Sequence, residues 1–152
     1  MSEMPSSVEE LLRLHRRIAI DSNVLIYLLE GSGARAELAA RLADAVGRGE
    51  VDGVLSSIGL AEVLAPAAKA DDGPAFEEAA ATIRDLGFRI VALDAQVAED
   101  AAWIRGRTGV AMPDAVHLAC ARHAGVTVFV TNDRRIPALP QLAIVVLEDL
   151  VA

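Results

Sequence analysis

Short, continuously apolar runs alternate along the chain with longer stretches in which apolar residues recur every three or four positions. Five runs have strand character: residues 18–20, 54–56, 88–93, 127–130 and 143–147. The run at 127–130 is the strongest, apolar and rich in β-branched side chains. Helical spacing fills the intervals 21–30, 34–46, 58–69, 74–86, 94–107 and 113–124. Gly31, Gly47, Gly87, Gly109 and Gly125 stand just past helix ends, and Pro74 and Pro113 suit first helical positions. Asp94 is an N-cap candidate. Residues 1–17 precede the first strand as an N-terminal extension. Within it, Ser6 or Ser7, three residues before Glu9 or Glu10, offers a capping box for a short helix reaching about His15. Short apolar strands separated by helices describe a parallel sheet covered on both faces. The expected fold is α/β, three-layered and single-domain.

Composition narrows the class. A chain of 152 residues, 53% hydrophobic and 24% charged, suits one domain with its own core and excludes a disordered tail protein. No apolar run approaches the ~20 residues of a membrane-spanning helix. Glu9 and Glu10 precede the first leucines, against the order of a signal peptide. The single cysteine, Cys120, excludes an internal disulfide framework and a cysteine zinc cluster, so a reducing cytoplasm is the expected location. A net charge of −8 argues against a protein that grips duplex nucleic acid over a broad surface. It also raises the question of whether some carboxylates converge.

Several acids occupy telling positions. The strand at 18–20 runs into Asp21-Ser22-Asn23, and that at 127–130 into Thr131-Asn132-Asp133. In parallel sheets functional groups gather beyond the carboxyl ends of the strands. Glu62 lies in an apolar segment expected to be mostly buried, and Asp114 in the first turn of an apolar helix. Neither has a lysine or arginine within one helical turn. Four converging carboxylates repel one another, and a divalent cation offsets that repulsion. Oxygen donors without thiolates point to Mg²⁺ or Mn²⁺. Such a site supports phosphate-ester hydrolysis through an activated water, which agrees with the lack of a serine or cysteine nucleophile motif.

At these residues the sequence resembles a known family. IAIDSNVLIYLLEG, SSIGLAEVL and MPDAVHLACARHAGVTVFVTNDRRI, in that order, are similar to PIN-domain ribonucleases, and in particular to the toxins of VapBC toxin–antitoxin pairs. The resemblance covers 18–152, with 1–17 outside it, and is most specific around Asp114 and Thr131-Asn132-Asp133. It implies that Asp21, Glu62, Asp114 and Asp133 form an acidic quartet holding Mg²⁺ or Mn²⁺. It also implies that Asn23 orients the first aspartate and that Thr131 organises the site near the last. The implied activity is metal-dependent cleavage of RNA by a homodimer controlled by a cognate antitoxin.

Each residue also has a plainer role. Asp21 competes with Asn23 as a helix cap, Asp114 complements a helix dipole, and Asp133 belongs to an Asn-Asp turn. Glu62 has the weakest structural use. His117, three residues after Asp114, reads more readily as packing or support for the acids than as a ligand. Arg134 and Arg135 suit RNA steering, solvated surface or antitoxin contact about equally. Trp103, with Val97 and Ile104 at helical spacing, reads as core or dimer interface, and Cys120 as a small buried hydrophobe. The rival to the nuclease reading is a catalytically inactive PIN-like module that binds RNA or protein. An aspartyl-phosphate phosphatase is disfavoured, since Asn23 stands where a second aspartate is needed.

Overall fold

The computed structural model describes residues 4–151, so the first part of the N-terminal extension lies outside it. Five parallel strands form one sheet: β1 (Arg17–Ile20), β2 (Asp52–Ser56), β3 (Arg89–Val91), β4 (Val128–Thr131) and β5 (Ala143–Val146). Their spatial order is β3-β2-β1-β4-β5. Seven helices connect and cover them: α1 (Val8–Leu14), α2 (Ser22–Glu30), α3 (Ala34–Gly47), α4 (Ser57–Lys69), α5 (Gly73–Asp85), α6 (Ala95–Thr108) and α7 (Met112–His123). The expected α/β class and three-layer arrangement are observed.

Apart from terminal residues such as Arg17, Asp52 and Arg89, the strands are apolar because both faces of the sheet are covered, and their two-residue period sorts side chains between two cores. Ile18, Ile20, Leu55, Val128, Val130 and Val145 face one core, with Val8, Leu11, Leu25, Leu42 and Ile83 from α1, α2, α3 and α5. Ala19, Val54 and Phe129 face the other, with Val97, Ala101, Ile104, Ala115 and Leu118 from α6 and α7. Cys120 is buried in this second core, where desolvation pushes its thiol up to about 11. Trp103 departs from the core expectation. It is 63% exposed, because Val97, Ala101 and Ile104 make the inward face of α6.

Two strands are shorter than the apolar runs that announced them. β3 spans three residues, because Phe88 leaves the sheet edge to pack against β2. A Cβ on Gly53 would come within 2.7 Å of the Phe88 ring and of Val46, so glycine there makes room for both. β5 stops at Val146, and Leu147 enters a 3₁₀ turn (Leu147–Asp149).

Helix α1 is seated on the first core. Ser7 caps it by accepting from the Glu10 N–H at 3.1 Å, and Glu10 Oε2 accepts from the Ser6 hydroxyl at 3.0 Å. Val8 and Leu11 are fully buried. The Val8 N–H donates to the Val151 carbonyl at 3.0 Å, and the Val151 N–H donates to the Ser6 carbonyl at 2.9 Å. His15 and Thr127 share a 2.7 Å hydrogen bond that ties the end of α1 to the approach to β4.

The sheet order sets the location of any site. From β1 the chain winds outward through β2 and β3, then returns to the opposite side of β1 with β4. The connections therefore diverge beyond the carboxyl ends of β1 and β4, which opens a crevice there.

Candidate active site

The crevice takes its first acid from the end of β1. Asp21 is 5% exposed and caps α2, accepting from the Ser22 N–H at 2.8 Å. Its other oxygen accepts from the Thr131 hydroxyl, at the end of β4, at 2.8 Å. Asn23 reaches across the same gap. Its Nδ2 lies 3.5 Å from Asp21 Oδ2 and 3.4 Å from Thr131 Oγ1, and its Oδ1 accepts from the Asn132 N–H at 3.2 Å. Thr131 Oγ1 also accepts from the Asp133 N–H at 3.0 Å. Neighbouring strand ends thus hold Asp21, Asn23, Thr131 and Asp133 in one hydrogen-bonded cluster.

Two helices bring the remaining acids. Asp114 stands in the first turn of α7, half-buried. Its carboxyl is pushed above the ordinary aspartate range by burial first, then by the charges of Asp21, Asp133 and Glu62. Asp114 therefore lies within electrostatic reach of each of the other three acids. Glu62 sits on α4, which is more exposed than the apolar sequence suggests, with only Gly59 and Val63 buried. The expectation of a mostly buried segment is corrected accordingly: the Glu62 side chain is 40% exposed.

Glu62 also has a hydrogen-bonding partner, which arrives from α7 rather than from its own helix. His117 Nε2 lies 2.8 Å from Glu62 Oε1 and 3.6 Å from Asp21 Oδ1. His117 Nδ1 lies 2.6 Å from Ser56 Oγ, which itself accepts from the Gly59 N–H at 2.9 Å. A carboxylate only accepts, so Nε2 carries the proton toward Glu62. In the neutral ring Nδ1 then accepts from the Ser56 hydroxyl. Burial alone would lower the His117 pKa, but the Glu62 hydrogen bond and the charges of Asp21, Glu62 and Asp114 outweigh it, and the net shift is upward. The same hydrogen bond holds Glu62 below the usual glutamate range. A Cβ on Gly59 would meet Leu55 at 2.8 Å and the His117 ring at 3.4 Å, so the helix comes this close only with glycine there.

Sequence reasoning missed Ser56. Its signal was the N-cap position at the junction of β2 and α4, but nothing local reveals a histidine partner 61 residues away.

The fourth acid is clamped. Asp133 accepts from the Arg135 backbone N–H at 2.9 Å, and from the Arg135 Nε and Nη2 at 3.0 and 2.9 Å. Those bonds hold its carboxyl below the ordinary range. Arg134 turns instead to Asp149, at 2.7 Å.

Every carboxylate but Asp114 is thus engaged by a protein donor. Among the described residues, no group of three or more His, Cys, Asp or Glu side chains is arranged, as it stands, to hold a metal ion. The donor chemistry nevertheless fits a hard divalent cation. The set is four carboxylates, and their repulsion falls on Asp114, the acid without a compensating hydrogen bond.

An α/β domain with an acidic crevice at the divergence of β1 and β4 is a class defined by fold and site together. The chain belongs to the PIN domain family, whose model matches residues 18–142. Solved structures agree on the fold. VapBC2 from Rickettsia felis, bound to a promoter DNA fragment, aligns with a TM-score of 0.67 at 15% identity, over 86% of this chain and 98% of that one. DNA-bound VapBC from Salmonella typhimurium aligns with a TM-score of 0.65 at 21% identity, over 86% and 98%. VapC20 from Mycobacterium tuberculosis, a toxin that cleaves the sarcin–ricin loop, aligns with a TM-score of 0.58 at 21% identity, over 74% and 86%. Comparison with curated protein sequences finds no match. Among the described residues no helix is long and apolar enough to cross a membrane.

Proposed function

We propose that this chain is a divalent-metal-dependent endoribonuclease of the VapC toxin type. The observation that carries the proposal is the meeting of Asp21 and Asp133, joined through Thr131 at the ends of β1 and β4, with Asp114, whose carboxyl is pushed up by burial first and then by the charges of Asp21, Asp133 and Glu62. Without a compensating cation Asp114 stands among three other carboxylates with no hydrogen-bond partner of its own in the described residues. Asp21, Glu62, Asp114 and Asp133 hold Mg²⁺ or Mn²⁺ in this reading. What a divalent ion held there supplies is activation of water and neutralisation of charge during hydrolysis of an RNA phosphodiester.

The chain's own residues fix the geometry. Thr131 and Asn23 hold Asp21 at the sheet, so its carboxylate stays oriented while others adjust. His117 aligns Glu62 and keeps it ionised. Asp133 would contribute its carboxylate to an ion, and Arg135, bound to it at 2.9 Å and 89% exposed, would meet substrate phosphate beside it. The likeness to VapBC assemblies supports a cognate antitoxin as partner. A homodimer is the assembly this reading proposes.

The test is cleavage of RNA by purified, antitoxin-free protein with Mg²⁺ or Mn²⁺, against EDTA and Asp114→Asn controls. Metal-dependent cleavage lost in the variant supports the reading, and equal cleavage by the variant overturns it. The rival reading, an inactive binding module, is favoured by one observation: the acids do not encircle an ion as they stand. Calorimetric titration separates the two, because an inactive module shows no carboxylate-dependent binding of Mn²⁺.

A further inference from the structure

A cavity of about 570 Å³ lies between the C-terminal half of α6, the turn from α7 to β4 and the segment 139–141. Trp103 lines it at 63% exposure and is the chain's only tryptophan. The Arg107 guanidinium lies 5.1 Å from the centre of the Trp103 ring. Among the described residues Arg107 enters no salt bridge, whereas Arg122, on the same cavity, is held by Asp100 at 3.2 Å. A smaller cleft of about 270 Å³ is lined by Asp114, Asp133 and Arg135. Thr108 lines both cavities. The loop after β4 borders both as well, with Ile136 on the acidic cleft and Leu139 to Gln141 on the larger cavity. The cleft that holds Asp114 and Asp133 and the Trp103 cavity therefore adjoin at Thr108.

Packing does not account for Trp103, since α6 already buries Val97, Ala101 and Ile104. An exposed ring beside an unneutralised guanidinium, on a chain of net charge −8, complements a polyanion that carries flat apolar groups. Single-stranded nucleic acid has that chemistry: bases stack on aromatic faces and phosphates meet arginine. A duplex keeps its base faces covered.

We propose that single-stranded RNA engaged at the acidic cleft continues over Thr108, stacking a base on Trp103 and setting an adjoining phosphate on Arg107. The proposal rests on the nuclease reading and adds a substrate-binding surface to it. Trp103 and Arg107 then contribute to affinity and to the strand form that is accepted.

Because Trp103 is the sole tryptophan, its fluorescence reports on this surface alone. Wild-type protein in EDTA is titrated with an eight-nucleotide single-stranded oligoribonucleotide, and steady-state cleavage with Mn²⁺ is compared for wild type, Trp103→Leu and Arg107→Gln. Saturable quenching by RNA is expected, with KM raised roughly 5- to 100-fold by Trp103→Leu and kcat little changed. Cleavage with no quenching and an unaltered KM overturns the inference and leaves the nuclease reading intact. Quenching without cleavage by the wild type overturns the nuclease reading and leaves the RNA surface standing. Fluorescence that follows protein concentration but not RNA shows the face covered by a second copy, which also overturns the inference.

Discussion

His117 and Glu62, 55 residues apart, share a 2.8 Å hydrogen bond that fastens α7 to α4 across the acidic crevice. His117 is 3% exposed, so this contact is made inside the fold although Glu62 itself reaches solvent. Replacing His117 by alanine removes the partners of both Glu62 and the Ser56 hydroxyl. The expected loss of stability is about 1–3 kcal/mol, as for a buried polar group deprived of its partner. Urea unfolding measures it. His117→Gln, which keeps a donor for Glu62, is expected to recover part of both stability and RNA cleavage. Equal stability of wild type and His117→Ala would show the contact to be idle.

Asp114→Asn is expected to act in opposite directions on stability and on metal response. Neutralising Asp114 relieves its repulsion with Asp21, Asp133 and Glu62, so in EDTA the variant melts above the wild type. Added Mn²⁺ raises the wild-type Tm by mass action and leaves the variant's unchanged. Thermal melts with and without Mn²⁺ check both signs in one experiment.

Much of this arrangement was legible in the chain, for reasons that also mark where legibility stops. The strands were readable because a sheet covered on both faces makes their central positions apolar on both sides. Helix ends were readable because glycine adopts the left-handed conformation at Gly31 and Gly109. Asp21, Asp133 and Asp114 announced themselves at strand ends and a helix start, where backbone geometry fixes location. Partnership was not legible. Glu62 looked buried and unpaired because its histidine comes from α7, and Ser56 stood only as the last residue of a strand run. Trp103 read as core or dimer interface because helical spacing alone leaves open which way a mixed face turns, and its exposure removes the first.

Leu11→Ala is expected to destabilise the protein by about 2–5 kcal/mol, because Leu11 is fully buried in the first core. Leu14→Ala, at a position 50% exposed on the same helix, is expected to cost under about 0.5 kcal/mol. Parallel urea titrations of the two variants test whether α1 is integral to the domain. Equal, small effects would mean that the helix contributes little to stability.

The hydrogen bond between His15 and Thr127 makes α1 docking sensitive to pH. Burial lowers the His15 pKa below its ordinary 6.5, so the folded state favours the neutral ring. The contribution is present above pH 6.5 and is lost as pH falls through the lowered folded value. The stability difference between wild type and His15→Gln is expected to shrink from pH 7.5 to pH 5. Denaturant midpoints across that range measure it, and a widening difference would reverse the assigned sign.

The pairing of Val8 with Val151 has a temporal consequence. A ribosome delivers α1 before any strand of the sheet, yet the backbone partner of its first turn emerges only after β5 and the following turn. During elongation the helix has neither its core face nor its partner strand. The folded domain therefore closes only once Val151 has left the ribosome, when α1 first meets the segment that follows β5.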